Sequence, residues 1–119
     1  MNFAARRQKL LDLAEKQDIG GLLIQNLDSI YYLSGFNAAV ASRPFALIIN
    51  GDRNILVTPM TSADTAREET GGSVEISVYY EHPVGEDHSF SYLTNIKQGL
   101  AGVRGALGVE SGRLTHAEL

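Results

Sequence analysis

Residues 45–58 read FALIINGDRNILVT and form the strongest local structural signal in the chain. Two apolar, β-rich runs at 45–49 and 54–58 flank the polar tetrapeptide Asn50-Gly51-Asp52-Arg53. An Asn-Gly pair between such runs is typical of a β-hairpin, because both residues tolerate the positive φ angles of a tight turn. The stretch therefore predicts two antiparallel strands joined by a short turn.

The residues before this hairpin predict a helix, a strand and a second helix. The first helix covers about residues 3–16, and residues 22–24 are an apolar run typical of a strand buried on both faces. Asn26-Leu27-Asp28-Ser29 has the composition of a helix N-terminus. The second helix is one or two turns long and ends at Gly35.

The first helix is expected to be amphipathic. Its apolar stripe consists of Leu10, Leu13 and Ala14, which follow the i, i+3, i+4 spacing of one helix face. The charged residues are expected on the solvated faces, and they are Arg6, Arg7, Lys9, Asp12 and Glu15.

The residues after the hairpin alternate between helix and strand. Residues 61–64 match the spacing of a capping box, which predicts a helix to about residue 70, and residues 74–78 alternate as a strand does. A further amphipathic helix has its apolar stripe at Leu93, Ile96, Leu100 and Val103. Residues 105–109 predict a fifth strand. Together these elements predict a three-layer α/β/α domain with a mixed, mostly parallel five-stranded sheet.

Composition limits the class of protein. The chain has 119 residues, of which 44% are hydrophobic and 20% are charged, as in one soluble globular domain. A net charge of −4 does not favour a nucleic acid partner, and the absence of cysteine excludes disulfides and thiolate metal sites. No apolar run approaches the ~20 residues that span a bilayer, and no signal peptide begins the chain, so we expect a cytoplasmic protein without a membrane partner.

Catalytic and metal-binding patterns are weak. His82 and His88 stand near three carboxylates within residues 81–88, but a polar surface loop explains them better than a metal site. Ser34 precedes Gly35 without the flanking pattern of a nucleophile elbow. We therefore assign no catalytic residue and no metal ligand to this chain.

An aromatic cluster is open to two interpretations. Tyr31, Tyr32 and Phe36 surround Gly35, and they fit either core packing of a short helix or an interface hot spot. Arg43, just before Pro44, is either a contact for a carboxylate or a solvated side chain.

Residues 26–36, NLDSIYYLSGF, resemble the N-x-x-x-I-x-Y-L-T-G-F segment of the creatinase/prolidase N-terminal domain, with Ser34 in place of the usual threonine. Residues 107–110, LGVE, resemble the I-G-V-E strand of the same family. The resemblance covers nearly the whole chain, and it implies a ribonuclease-H-like sheet in which the first strand of the hairpin runs antiparallel.

In that family the domain precedes the catalytic half of Xaa-Pro aminopeptidases, Xaa-Pro dipeptidases and creatinases. The resemblance implies that residues 1–119 are a non-catalytic accessory domain and that a metal-bearing "pita-bread" domain follows residue 119. It also implies two divalent ions (Mn, Co or Zn) in that following domain, short proline-containing peptides as substrates, and a homodimer or higher homo-oligomer. Tyr32, Phe36 and Arg43 are then candidate contacts with the partner subunit's active-site entrance.

The sequence leaves two alternatives open. The first is the accessory domain of a creatinase-like amidinohydrolase, and the second is a free-standing α/β module that binds a small ligand. The sequence Thr115-His116-Ala117-Glu118 is a capping box, which is a signature of a helix N-terminus, and it favours a longer parent protein over the free-standing module.

Overall fold

The hairpin forms the middle of a five-stranded sheet. The computed structural model describes residues 3–37, 44–51, 53–79, 92–103 and 106–110. In chain order its elements are α1 (Phe3–Glu15), β1 (Ile19–Ile24), α2 (Leu27–Ser34), β2 (Ala46–Asn50), β3 (Arg53–Pro59), a 3-10 turn (Met60–Ser62), α3 (Ala63–Thr70), β4 (Glu75–Tyr79), α4 (Tyr92–Gly99) and β5 (Ala106–Glu110).

The predicted hairpin is confirmed. Strands β2 and β3 pair antiparallel, and the register joins Asn50 to Arg53, so Gly51 lies in the turn between them. Gly51 has a φ of +59°, which an L-residue adopts at a cost. The Asn50 side chain donates hydrogen bonds to the carbonyls of Gly99 and Ala101, which ties the turn to the end of α4.

The sheet is mixed, with the order β4-β3-β2-β1-β5. Strands β1 and β5 pair parallel, as do β3 and β4, whereas β2 runs antiparallel to both of its neighbours. The mixed sheet and the reversed β2 agree with the sequence. The parallel character is weaker than predicted, because β2 lies in the centre and makes half of the ladders antiparallel.

Helices cover both faces of this sheet. Leu47 and Ile49 of β2 lie in one core with residues of α1, α2 and α3. Ala46 and Ile48 lie in a second core with Ile96 of α4. Alternate residues of one strand therefore serve two cores, which is the expected pattern for a strand buried on both faces. The three-layer α/β/α architecture is confirmed.

The buried face of α1 differs from the predicted stripe. Arg7, Leu11 and Ala14 are buried, whereas Leu13 is 50% exposed. Arg7 was expected in solvent, and this expectation is wrong, because main-chain carbonyls from other elements meet its guanidinium inside the fold. Hydrophobic periodicity cannot indicate a charged residue on a buried face.

Two further details of the helices correct the sequence analysis. The capping box predicted at residues 61–64 is not formed, since Ser62 is the N-cap and makes no side-chain capping bond. Asp64 instead pairs with Arg67 at 3.2 Å. In α4, Ile96 is buried as predicted but Leu93 is 67% exposed, and the buried face includes Asn95.

Candidate interaction surface

Local capping sets the position of α2 and of its aromatic residues. The Asn26 side chain accepts hydrogen bonds from the backbone N–H groups of Asp28 and Ser29 at 2.9 Å and 3.3 Å, which confirms the predicted N-terminus. At the other end, Gly35 has a φ of +84° and donates its N–H to the carbonyl of Tyr31. Both ends of this short helix are thereby determined by local sequence.

The two faces of α2 have different environments. Ile30 and Leu33 enter the core, at 1% and 5% exposure. Tyr31 and Tyr32 lie on the opposite face and are 49% and 58% exposed. The tyrosines are therefore surface residues, as the interface interpretation requires.

Arg6 of α1 organises the surface around Tyr32. Its guanidinium carbon lies 4.1 Å from the centroid of the Tyr32 ring and 5.3 Å from that of Phe3. Its Nη1 also donates a hydrogen bond of 2.8 Å to the Tyr32 carbonyl. Cation–π contacts at exposed sites contribute about 0.5–1 kcal/mol each, so this arrangement holds the ring in a defined orientation.

Phe36 is placed differently from Tyr32. Its side chain is 2% exposed, and its ring centroid lies 5.3 Å from that of Phe45. The core-packing interpretation therefore applies to Phe36, and the ring is not available to a partner in this structure. The expectation that Phe36 and Tyr32 lie on one contact surface is therefore corrected. The chain turns inward after Gly35, which places Phe36 in the core.

The third candidate contact, Arg43, lies outside the described residues, as does most of the segment between Phe36 and Arg43. The segment begins at Asn37, which donates its backbone N–H to Glu69 of α3 at 3.3 Å.

An open groove lies beside Tyr32. It has a volume of about 630 Å³ and runs between α1, α2 and the β1–β5 edge of the sheet. Its apolar lining comes from Leu10, Leu13, Leu22, Leu23, Ile24, Leu33 and Val109. Arg6, Lys9 and Asp28 also line it, so the apolar lining is accompanied by charges of both signs. Apolar surface with an aromatic and an arginine beside it is the composition of a protein-binding patch.

Arg7 is the buried residue that the pattern of the sequence missed. Its Nη1 donates to the carbonyl of Leu33 at 2.8 Å and its Nη2 to that of Ser73 at 3.2 Å. Leu33 lies in the last turn of α2, so its carbonyl is at the negative end of that helix dipole. Ser73 lies beyond the end of α3 and supplies a main-chain carbonyl from outside that helix. Burial lowers the pKa of this guanidinium.

Ser34 is structural. Its hydroxyl donates to the carbonyl of Ile30 at 2.6 Å and accepts the N–H of Phe36 at 3.1 Å, and the residue is fully buried. These bonds shape the end of α2 and explain the serine next to Gly35 without a nucleophilic role.

Within residues 3–37, 44–51, 53–79, 92–103 and 106–110, no group of three or more acidic or histidine side chains is placed to hold a metal ion. His82 and His88, with the carboxylates around them, lie outside these ranges. None of the helices described here is long and apolar enough to cross a membrane.

Comparison with known protein families identifies one match. The family model of the creatinase/prolidase N-terminal domain matches residues 6–119. A search of curated proteins gave no match.

Solved structures share the fold. An Xaa-Pro dipeptidase from Bacillus anthracis is 18% identical with a TM-score of 0.72, and the match covers 98% of this chain and 29% of that one. The N-terminal domain of an Xaa-Pro dipeptidase from Lactobacillus brevis is 19% identical with a TM-score of 0.73, covering 94% of this chain and 81% of that one. A prolidase from Pyrococcus furiosus is 21% identical with a TM-score of 0.64, covering 92% and 29%.

This chain thus spans less than a third of the Bacillus anthracis and Pyrococcus furiosus enzymes. The family match includes the capped helix α2, the central hairpin and β5, which are the elements that organise the sheet and its surface groove. The chain belongs to the creatinase/prolidase N-terminal domain family.

Proposed function

We propose that this chain is the non-catalytic N-terminal accessory domain of an Xaa-Pro aminopeptidase or dipeptidase that uses two metal ions. The observation that carries the proposal is the family match over residues 6–119. It is supported by solved Xaa-Pro dipeptidases in which the similar part is a minor share of a longer chain.

The accessory role consists of contacts with a partner subunit. Tyr32, ordered by Arg6, and the apolar groove beside it supply a surface of the right composition. Arg43 is the candidate contact at the partner's active-site entrance. The assembly is a homodimer or a higher homo-oligomer in the cytoplasm.

Catalysis belongs to a domain that follows this chain. Two divalent ions (Mn, Co or Zn) bound there would activate water for the hydrolysis of short proline-containing peptides. In this proposal the metal ligands lie in that following domain, and residues 1–119 contribute to binding and assembly.

The test compares the isolated chain with the full-length protein on Xaa-Pro dipeptides and longer Xaa-Pro peptides, with Mn, Co or Zn added. We expect turnover from the full-length protein and none from residues 1–119. Turnover by the isolated chain would overturn the accessory role, and a full-length protein that ignores Xaa-Pro peptides would overturn the peptidase assignment.

A creatinase-like amidinohydrolase is the second candidate, because the matching family includes creatinases as well as prolidases. Creatine is the substrate that separates the two. Hydrolysis of creatine by the full-length protein, without cleavage of Xaa-Pro peptides, would favour this alternative.

A further inference from the structure

The groove beside Tyr32 lies where the helical layer on one face of the sheet stops short of β5. Buried residues of α1, α2 and α3 share one core with β1, β2 and β3, and in the described part of the chain no residue of β5 belongs to it. Gly108 and Val109 of β5 line the groove instead. Val109 and Leu13 of α1 are both exposed there. The groove therefore presents apolar surface that another chain can cover.

Gly108 keeps the floor of this groove open. It pairs with Leu22 across the ladder between β1 and β5, and both residues line the groove. A Cβ at position 108 would lie 2.8 Å from Cδ2 of Leu22. Because glycine has no such atom, the Leu22 side chain lies against bare main chain and stays half-buried as part of the lining.

The α1 wall of the groove carries two positive charges. Arg6 and Lys9 both line it, and their spacing of three residues places them on one side of the helix. Arg6 donates to the Tyr32 carbonyl and packs on two aromatic rings, while Lys9 is exposed. The ion pairs found among the described residues involve other side chains. No described carboxylate is therefore paired with either cation.

Asp28 on the opposite wall has a local role. It lies in the first turn of α2, where a carboxylate interacts favourably with the positive end of the helix dipole. With Arg6 and Lys9 on the other wall, the groove has a positive balance in a chain whose net charge is −4. A complementary occupant therefore carries a carboxylate on the side of α1.

The shape of the groove favours a protein segment over a small molecule. Small-molecule sites bury about 70–90% of their ligand's surface, whereas this groove is open between two helices and a sheet edge. Grooves of this kind bind the apolar side of an amphipathic segment. The leucines on α1 and β1 supply the matching apolar lining.

We propose that the groove takes an apolar segment of the partner subunit in which a carboxylate faces Arg6 and Lys9. Apolar side chains of that segment cover Leu13 and Val109, and its carboxylate accepts a charge-assisted hydrogen bond from Lys9. This contact rests on the proposed function, which includes subunit assembly, and it specifies the chemistry of the partner segment.

The experiment measures the dissociation constant of the full-length homo-oligomer by sedimentation for Lys9→Glu, Lys9→Gln and Leu13→Ser. We expect Lys9→Glu and Leu13→Ser each to raise it about tenfold. Lys9→Gln should raise it less, because it removes the attraction without adding repulsion. At ~1 M salt, where the Debye length is about 3 Å, the effect of Lys9→Glu should shrink and that of Leu13→Ser should persist.

The matched controls are Leu93→Ser and Lys97→Glu on α4. Both side chains are exposed, and α4 packs on the other face of the sheet. These variants make the same chemical changes away from the groove, so they should leave the dissociation constant unchanged.

Three outcomes would overturn the proposal. Weakening by Leu13→Ser without any effect of the Lys9 variants would mean that the segment brings no carboxylate. Lower thermal stability of the full-length protein with unchanged association would mean that its own chain covers the groove. Unchanged association and stability in all variants, or a monomeric wild type, would mean that no partner segment binds there. Cleavage of Xaa-Pro peptides by the same samples tests the peptidase assignment separately.

Discussion

At the scale of single residues, the fold depends on a buried cation, and a hydrophobic pattern does not predict the burial of a charged side chain. Arg7 is 4% exposed, and its guanidinium binds the carbonyls of Leu33 and Ser73. Its Nε has no hydrogen-bond partner in the described structure. The two main-chain carbonyls that accept its hydrogen bonds therefore have to compensate the buried charge.

We expect Arg7→Met to lower the free energy of unfolding by about 1.5–3 kcal/mol. Methionine keeps much of the aliphatic stem, but it leaves two carbonyls without their charged donor. Urea unfolding of the isolated chain measures the loss, with Lys9→Met on the exposed face of the same helix as the matched control. Equal stability of the two variants would contradict the role of Arg7.

The Tyr92 hydroxyl predicts a specific dependence on pH. Burial raises its pKa, while the hydrogen bond from Gln25 acts in the opposite direction. Since the folded state favours the neutral phenol, its contribution to stability is complete below pH ~10, the ordinary pKa of tyrosine, and is lost as the pH rises through the raised value.

The stability advantage of the wild type over Tyr92→Phe should therefore shrink as the pH rises above ~10 and through the raised pKa of Tyr92. Denaturant unfolding at several pH values measures this difference. A difference for Tyr92→Phe that is constant with pH would show that ionisation of this residue is not linked to folding.

At the scale of elements, local chemistry determines where the helices and turns begin and end. Asn26 caps α2 and Gly35 ends it, as the sequence predicts. The predicted hairpin also forms, but Asn50 is the last residue of β2 and only Gly51 of the Asn-Gly pair lies beyond the strand. The phase of α1 and of α4 was predicted less well. The phase of a helix depends on which of its side chains can be buried against the sheet. Arg7 and Asn95 can be buried because backbone carbonyls accept their hydrogen bonds.

Two glycines with positive φ provide a matched test of the α2 terminus. Gly35 has a φ of +84°, and a Cβ there would lie 2.9 Å from the Phe3 ring, whereas Gly51 has a φ of +59° with open space around it. We expect Gly51→Ala to cost about 1 kcal/mol from backbone strain alone. Gly35→Ala should cost about 1–2 kcal/mol more, because packing is added to strain.

Thermal or urea unfolding of both variants measures these costs. The informative quantity is their difference, which reports the contact with Phe3. Equal costs would mean that α1 yields to the added methyl group.

At the scale of the whole molecule, the sheet separates two cores, and the surface beside α2 is left open. Helices α1–α3 cover one face and α4 the other, while the groove next to Tyr32 keeps apolar residues accessible. Leu13 and Val109, at 50% and 42% exposure, belong to this groove. Such a surface favours association with another subunit or domain.

In the full-length protein, we expect Tyr32→Ala combined with Arg43→Ala to weaken subunit association or to raise KM by about tenfold, as for the loss of one hot spot. Sedimentation and steady-state kinetics measure the two effects. Leu93→Ala is the control, because Leu93 is exposed on α4, on the other face of the sheet. Unchanged association and kinetics in the double variant would remove the contact role of this region.

The burial of Phe36 is a feature of the candidate site that the sequence did not predict. Its place beside Tyr31, Tyr32 and Gly35 in the sequence suggested one aromatic surface, but the structure divides the cluster between surface and core. Left-handed Gly35 turns the chain inward, and Phe45 supplies the partner ring. Aromatic residues that are close in sequence therefore differ in exposure, and this difference can be read only from the path of the chain.

The cap of α2, the formation of the hairpin and the approximate strand positions followed from the sequence alone, because each depends on a few adjacent residues and on backbone φ angles. The same sequence also indicated the family through residues 26–36. The burial of Arg7, the division of the aromatic cluster and the meeting of Tyr79 with Tyr92 required the tertiary structure. These features arise from contacts between residues that are distant in sequence, and their carbonyl and ring partners become visible only when the sheet is assembled.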